Sequence, residues 1–153
     1  MGLVRMSKFL DLVASHGTRH FEAGAVVIEQ DSPVSGLLVL LSGTGEILRD
    51  GVRLAKASER GAVFGEMSML LGGPTTATVR ALEPAEFAVI ENPREFLLAH
   101  PDATLHVAEL LARRLQALNI YLIDVKRQYE GHDHLGMVDE VLEALMHQPR
   151  RVK

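Results

Sequence analysis

FGEMSMLLGGPTTATVRA, from Phe64 to Ala81, is the stretch on which the reading of this chain turns. A carboxylate, Glu66, follows a glycine, Gly65, which lets the backbone approach a ligand closely. Met67, Ser68 and Met69 open a short helix, whose free amides and positive end suit a phosphate. Gly72 and Gly73 make a turn, Pro74 fixes the exit, and Thr75, Thr76 and Ala77 lead into a strand. Met67, Met69, Leu70 and Leu71 read as packing residues. The stretch has the outline of a cradle for a phosphorylated ligand, yet no cationic side chain lies between Glu66 and Arg80.

Upstream, the segment from His20 to Ala57 alternates apolar, β-branched runs with turns at Glu22-Ala23-Gly24, Asp31-Ser32-Pro33, Ser42-Gly43 and Asp50-Gly51. Asp-Gly readily takes the left-handed conformations of a two-residue hairpin turn. Strands at such spacing predict an all-β barrel or sandwich, and residues 76–91 add two more strands around Glu83-Pro84. Before them, Met6, Phe9, Leu10 and Val13 recur at helical spacing. Arg5, Lys8, Asp11 and His16 interrupt this start too often for a signal peptide.

Downstream the texture is helical. Asn92 is placed to cap, with Pro93 at the first helical position and Glu95 three residues after the cap. Pro101 restarts a long helix reaching about Tyr129, along which Leu111, Leu115, Leu118, Leu122, Val125 and Tyr129 follow at steps of four and three. That heptad seam predicts a parallel coiled coil between two copies, against the simpler alternative of packing on its own barrel. A tail, residues 131–153, resumes helical spacing at Met137, Val141, Leu142 and Leu145 and ends in the basic PRRVK.

In its order of short helix, strands, cradle, strands and helix pair, the chain resembles the cyclic nucleotide-binding domain from about Phe9 to Val125. This is the sensor module of the catabolite activator family, of cyclic-nucleotide-dependent kinases and of cyclic-nucleotide-gated channels. The glycines Gly24, Gly36, Gly43 and Gly45 match the early part of its β-roll, and FGE with P-x-T-A-T-V-R-A matches its phosphate-binding cassette. The resemblance implies an α+β fold: an antiparallel, jelly-roll-like β-roll with a short N-terminal helix, the cassette and C-terminal helices. It implies a binding domain over residues 1–130, a helical tail over 131–153, and cyclic AMP or cyclic GMP as ligand. The candidate ligand-binding residues are Phe64, Gly65, Glu66, Met67, Ser68, Pro74, Thr75, Thr76 and Ala77, with Glu66 accepting the ribose 2'-hydroxyl.

One position departs from that pattern. An arginine normally follows the cassette's proline and pairs with the cyclic phosphate; here it is Thr75. Threonine donates a hydrogen bond but carries no charge, and Thr76 offers a second hydroxyl. By strand alternation Arg80 faces away from Thr75, Ala77 and Val79. Arg53 and Arg60 are alternative cations that the sequence does not place. Two readings stay open: a weak or altered cyclic-nucleotide site, or a degenerate module that no longer binds.

Composition excludes other classes. The chain has 153 residues, enough for one domain with a core, no cysteine, a net charge of −4 and a pI near 6.0. That balance argues against non-specific nucleic-acid or membrane binding. No apolar run has the length of a membrane span, so the cytoplasm is expected. No catalytic motif or Walker loop appears, GTGEIL precedes no helix, and no enzyme activity, metal or cofactor is expected. His132, His134 and His147 read as loop residues rather than ligands, His16 and His20 lie near a helix-to-strand turn with no chemical role expected, and packing or capping accounts for His100 and His106. A transcription regulator would need a helix-turn-helix, and about two dozen residues after Glu130 hold a single convincing helix. The expectation is a stand-alone sensor or adaptor, homodimeric through its long helix, signalling to a downstream protein that the sequence cannot name.

Overall fold

The computed structural model describes residues 2–33, 36–129 and 135–146. His132, His134, His147 and the basic end lie outside them, so the readings made of those residues do too. The chain divides into two units, residues 1–107 and 108–153.

In the first unit, α1 (Gly2–Ala14) precedes eight strands: β1 (Thr18–Phe21), β2 (Val26–Ile28), β3 (Leu37–Ser42), β4 (Gly45–Arg49), β5 (Val52–Ala57), β6 (Val63–Phe64), β7 (Thr78–Ala81) and β8 (Ala85–Ile90). A short helix, α2 (Glu66–Leu71), interrupts them after β6. The strands form two antiparallel sheets, ordered β1-β8-β3-β6 and β2-β7-β4-β5. This is the β-roll that the resemblance implied.

Period-two alternation builds the core between the sheets. Phe21, Leu38, Leu40, Phe64, Ala85 and Phe87 from one sheet meet Ile28, Val79 and Ala81 from the other. Phe87 sits at the centre, edge-on to Phe21 at 5.6 Å and inclined to Phe64 at 5.9 Å between ring centroids. The alternate residues of β3 and β8, Leu37, Val39, Ala88 and Ile90, are buried as well. α1 packs on β8 and contributes the buried Phe9, Leu10 and Val13, which is why β3 reads as a continuous apolar run.

The β4–β5 hairpin turns at Asp50 (φ 51°) and Gly51 (φ 78°). Both are left-handed, as a two-residue turn matched to the strand twist requires. After β8 come α3 (Pro93–Ala99) and α4 (Pro101–Gln128). Asn92 stands at the cap position of α3 but its side chain makes no capping bond; the Phe96 amide bonds the Asn92 carbonyl instead. Three histidines serve packing: His16 and His100 both rest on Phe96, at 4.9 and 4.8 Å, and His106 lies 4.1 Å from Phe9, whereas His20 is exposed.

In the second unit, α4 continues past Ala108 and α5 (Leu135–Met146) follows. The Lys126 ammonium pairs with the Asp139 carboxylate, joining these two helices. Among the described residues no helix is long and apolar enough to cross a membrane.

Candidate functional site

The cassette begins where β6 ends. Phe64 lies opposite Leu38 on β3, and the chain then turns sharply at Gly65, whose φ of 87° is left-handed. A Cβ here would stand 2.8 Å from the Gly36 carbonyl oxygen, so the turn needs glycine for its conformation and for its closeness to the preceding loop. Glu66 starts α2 and is buried, as is Ser68; six residues later Gly72 ends the helix, its amide bonding the Ser68 carbonyl at 2.8 Å. Met67, Leu70 and Leu71 are 48%, 48% and 65% exposed. The expectation that these three pack is therefore corrected, while Met69 is half-buried: α2 buries Glu66 and Ser68 and turns Met67, Leu70 and Leu71 outward.

The Ser68 hydroxyl donates to the Pro74 carbonyl at 2.9 Å, bracing the Gly72-Gly73 turn from within. Thr75 is buried and makes four hydrogen bonds to the segment after β2. Its amide donates to the Ser32 carbonyl at 2.9 Å, and its carbonyl accepts from the Asp31 amide at 2.9 Å. Its hydroxyl accepts from the Ser32 amide at 3.0 Å and donates to the Glu29 carbonyl. One turn further, the Gln30 amide bonds the Thr78 hydroxyl at 3.1 Å. The residue standing at the arginine position thus clasps the cassette to the 29–32 turn. A hydroxyl has a single proton to give, and that of Thr75 goes to the backbone. Thr76 is exposed and Ala77 half-buried.

Arg80 points away from the core, as alternation predicted, since its neighbour Val79 is buried. Its guanidinium binds Glu46, the residue paired with it across β4–β7, with Nε donating to Oε1 at 2.8 Å. Arg53 takes the other oxygen, Nε to Oε2 at 2.8 Å. Glu46 is 1% exposed, and the sequence reading passed over it. The available signal was a lone acid in the apolar strand GEIL, but its partners depend on register. The Arg80 bond, helped by Arg53 and opposed by burial, holds its carboxyl below the ordinary range. A lowered folded-state pKa stabilises fully above the unfolded value of about 4.3, and that contribution drains away as pH falls through the folded value. Thermal unfolding of Glu46→Gln against the unaltered protein should therefore show a gap at pH 7 that narrows steadily below about pH 4.3.

The geometry brings Phe64, Gly65, Glu66, Ser68, Pro74, Thr75, Thr76 and Ala77 into one turn-helix-turn unit on the rim of the roll; Met67 belongs to its outward side. Among the described residues no cluster of acidic or histidine side chains could hold a metal ion.

Comparison with known proteins agrees with this architecture. The family model of the cyclic nucleotide-binding domain matches residues 18–97, just over half of the chain. The chain belongs to the cyclic nucleotide-binding domain family. Its structure is similar to the Thermus thermophilus catabolite activator protein, with 25% identity and a TM-score of 0.62, covering 91% of this chain and 83% of that one. It is also similar to the N-terminal domain of a transcriptional regulator from Streptomyces coelicolor A3(2), with 26% identity and a TM-score of 0.54, covering 74% and 84%. A PKAR CBD2 structure with Sp-2Cl-cAMPS bound shares the fold at 17% identity, with a TM-score of 0.59 and coverage of 79% and 86%.

Proposed function

We propose that this chain is a non-enzymatic, cytoplasmic sensor or regulatory domain whose cassette binds a cyclic nucleotide through a weakened phosphate site. The observation that carries this is the cassette itself: a left-handed Gly65, a buried Glu66 beside it, and Thr75 where the family places its arginine. Glu66 would take a ribose hydroxyl, and backbone amides with the exposed Thr76 hydroxyl would meet the phosphate. A missing charge-assisted bond is worth ~1.5–3 kcal/mol, so affinity for cyclic AMP or cyclic GMP should lie roughly ten- to a hundredfold below that of an arginine-bearing site.

Thr75→Arg tests this, with two separable readouts. Losing the hydroxyl's two bonds to the 29–32 turn should lower thermal stability by about 1–2 kcal/mol. Calorimetric titration should meanwhile show cyclic-nucleotide affinity raised by roughly ten- to a hundredfold. If the folded variant and the unaltered chain both leave cyclic AMP and cyclic GMP unbound at millimolar ligand, the cyclic-nucleotide reading is wrong. The second reading is then the better one: a module that keeps the fold for protein contacts. The internal donation by both Ser68 and Thr75 favours it.

We further propose a homodimer through α4. Leu115 and Leu118 are 43% and 44% exposed on their heptad positions, and Leu111, Leu122 and Val125 are half-buried. Ligand arrival would tighten the cassette and move the helices after Asn92, passing the signal along α4 to a downstream protein.

A further inference from the structure

We infer that the outer face of the sheet β2-β7-β4-β5 is a docking surface for an acidic segment of a partner protein. No residue of the cassette takes part, so this surface is independent of any nucleotide.

The strands of this sheet carry Arg49, Arg53, Lys56 and Arg80 against a single acid, Glu46, in a chain whose net charge is −4. Register gathers three of these cations on one face. Val26, Arg80, Glu46 and Lys56 are cross-strand partners in a row that runs over β2, β7, β4 and β5. Residues directly opposite one another share a face of the sheet. That face turns away from the core, because Val79 and Ala81, on either side of Arg80, are buried within it. Arg53, opposite Leu48 in the neighbouring row, reaches Glu46 from β5.

One cation would neutralise Glu46, and it has two. Arg80 and Arg53 each hold one oxygen of its carboxylate with Nε and one terminal nitrogen, leaving Nη1 of each unused by Glu46. They bury the acid, yet their own side chains stay half exposed. Lys56, beside Glu46 across β4–β5, is exposed and has no ion-pair partner among the described residues. The face therefore presents two surplus positive charges, and its guanidiniums are already fixed in place. Preorganised donors of this kind lose little rotamer freedom when they meet a carboxylate. Charge and shape define the occupant. Arg80 and Lys56 stand two strands apart, roughly 10 Å at Cα, which is wider than one small anion spans. Exposed apolar side chains flank them: Val26 at one end of the row, Val52 and Leu54 on the edge strand β5. Carboxylates spaced along a segment, with apolar side chains between them, match both features. A phosphate polymer matches only the charge, and the net charge of the whole chain opposes it.

The test is NMR titration of the full chain, following the Nε–H signals of Arg53 and Arg80 and the Lys56 amide. The probes are a short peptide of repeated Glu-Asp-Leu triplets, its Gln-Asn-Leu counterpart, inorganic phosphate and an oligothymidylate. The acidic peptide should shift all three signals saturably, and its neutral counterpart should bind tenfold or more weakly. Binding should weaken as salt rises, because exposed charge pairs are screened. Lys56→Gln, which leaves the bonds to Glu46 intact, should weaken the acidic peptide about threefold. Lys56→Glu should weaken it further, with circular dichroism unchanged. No shift with the acidic peptide at millimolar concentration overturns the inference, as does equal binding of the neutral peptide or unaltered affinity in Lys56→Glu. Phosphate or the oligothymidylate binding as tightly as the acidic peptide overturns the assignment to a protein partner.

Discussion

Phe87→Ala is expected to destabilise the protein by about 3–5 kcal/mol, the cost of removing a fully enclosed aromatic ring and leaving a cavity. Phe87 is 0% exposed and is the shared partner of Phe21 and Phe64, so the deletion unseats a ring from β1 and another from β6 at once. Against a total stability of about 5–15 kcal/mol, such a loss takes a large share. Thermal unfolding followed by circular dichroism should show a midpoint lowered by roughly 10 °C or more. Phe87→Leu retains most of the volume and should lose much less. A drop of under about 2 °C for Phe87→Ala would mean that the core does not centre between the two sheets. Because β6 leads directly into Gly65, the same change should also loosen the cassette.

The second large effect concerns assembly. Replacing Leu118 and Leu122 together by lysine places like charges directly across a two-fold α4 seam, where apolar side chains face each other in the proposed dimer. Sedimentation should then report half the mass of the unaltered protein. Circular dichroism should be largely kept, because both residues lie in the second unit and the roll's core residues all lie in the first. If the unaltered chain already sediments as a monomer at high micromolar concentration, the seam reports packing within one chain and the dimer is wrong.

What could be read from the sequence was local. Asp50-Gly51 announced its hairpin because two left-handed residues in succession are tolerated by few pairs. Alternation along TVRA put Val79 inside and Arg80 outside, and the heptad steps marked α4. The cassette's outline was legible as a motif of the cyclic nucleotide-binding domain.

What stayed hidden was set by contacts between distant segments. Thr75 could be read as a residue lacking charge, but not as a clasp, because its hydroxyl partners lie 43 and 46 residues away. Arg80 was placed on the correct face, yet its commitment to Glu46 needs the β4–β7 register, and that of Arg53 needs the twist of the β4–β5 hairpin. Met67, Leu70 and Leu71 were misjudged for a related reason. In a helix of six residues, apolar composition does not say which face is inward, and here the buried face is fixed by Glu66 and by Ser68 reaching Pro74.

The central claim is that this cassette still receives a ribose-bearing ligand despite lacking its arginine. Amide-resolved NMR titration with cyclic AMP and cyclic GMP up to millimolar concentration tests it most directly. The account predicts saturable shifts at the amides of Gly65, Glu66, Thr76 and Ala77, at fast exchange as befits a weak complex, with the core amides of β3 and β8 little moved. Unchanged cassette amides at the highest concentration of both nucleotides, or shifts confined to residues remote from it, would contradict the claim.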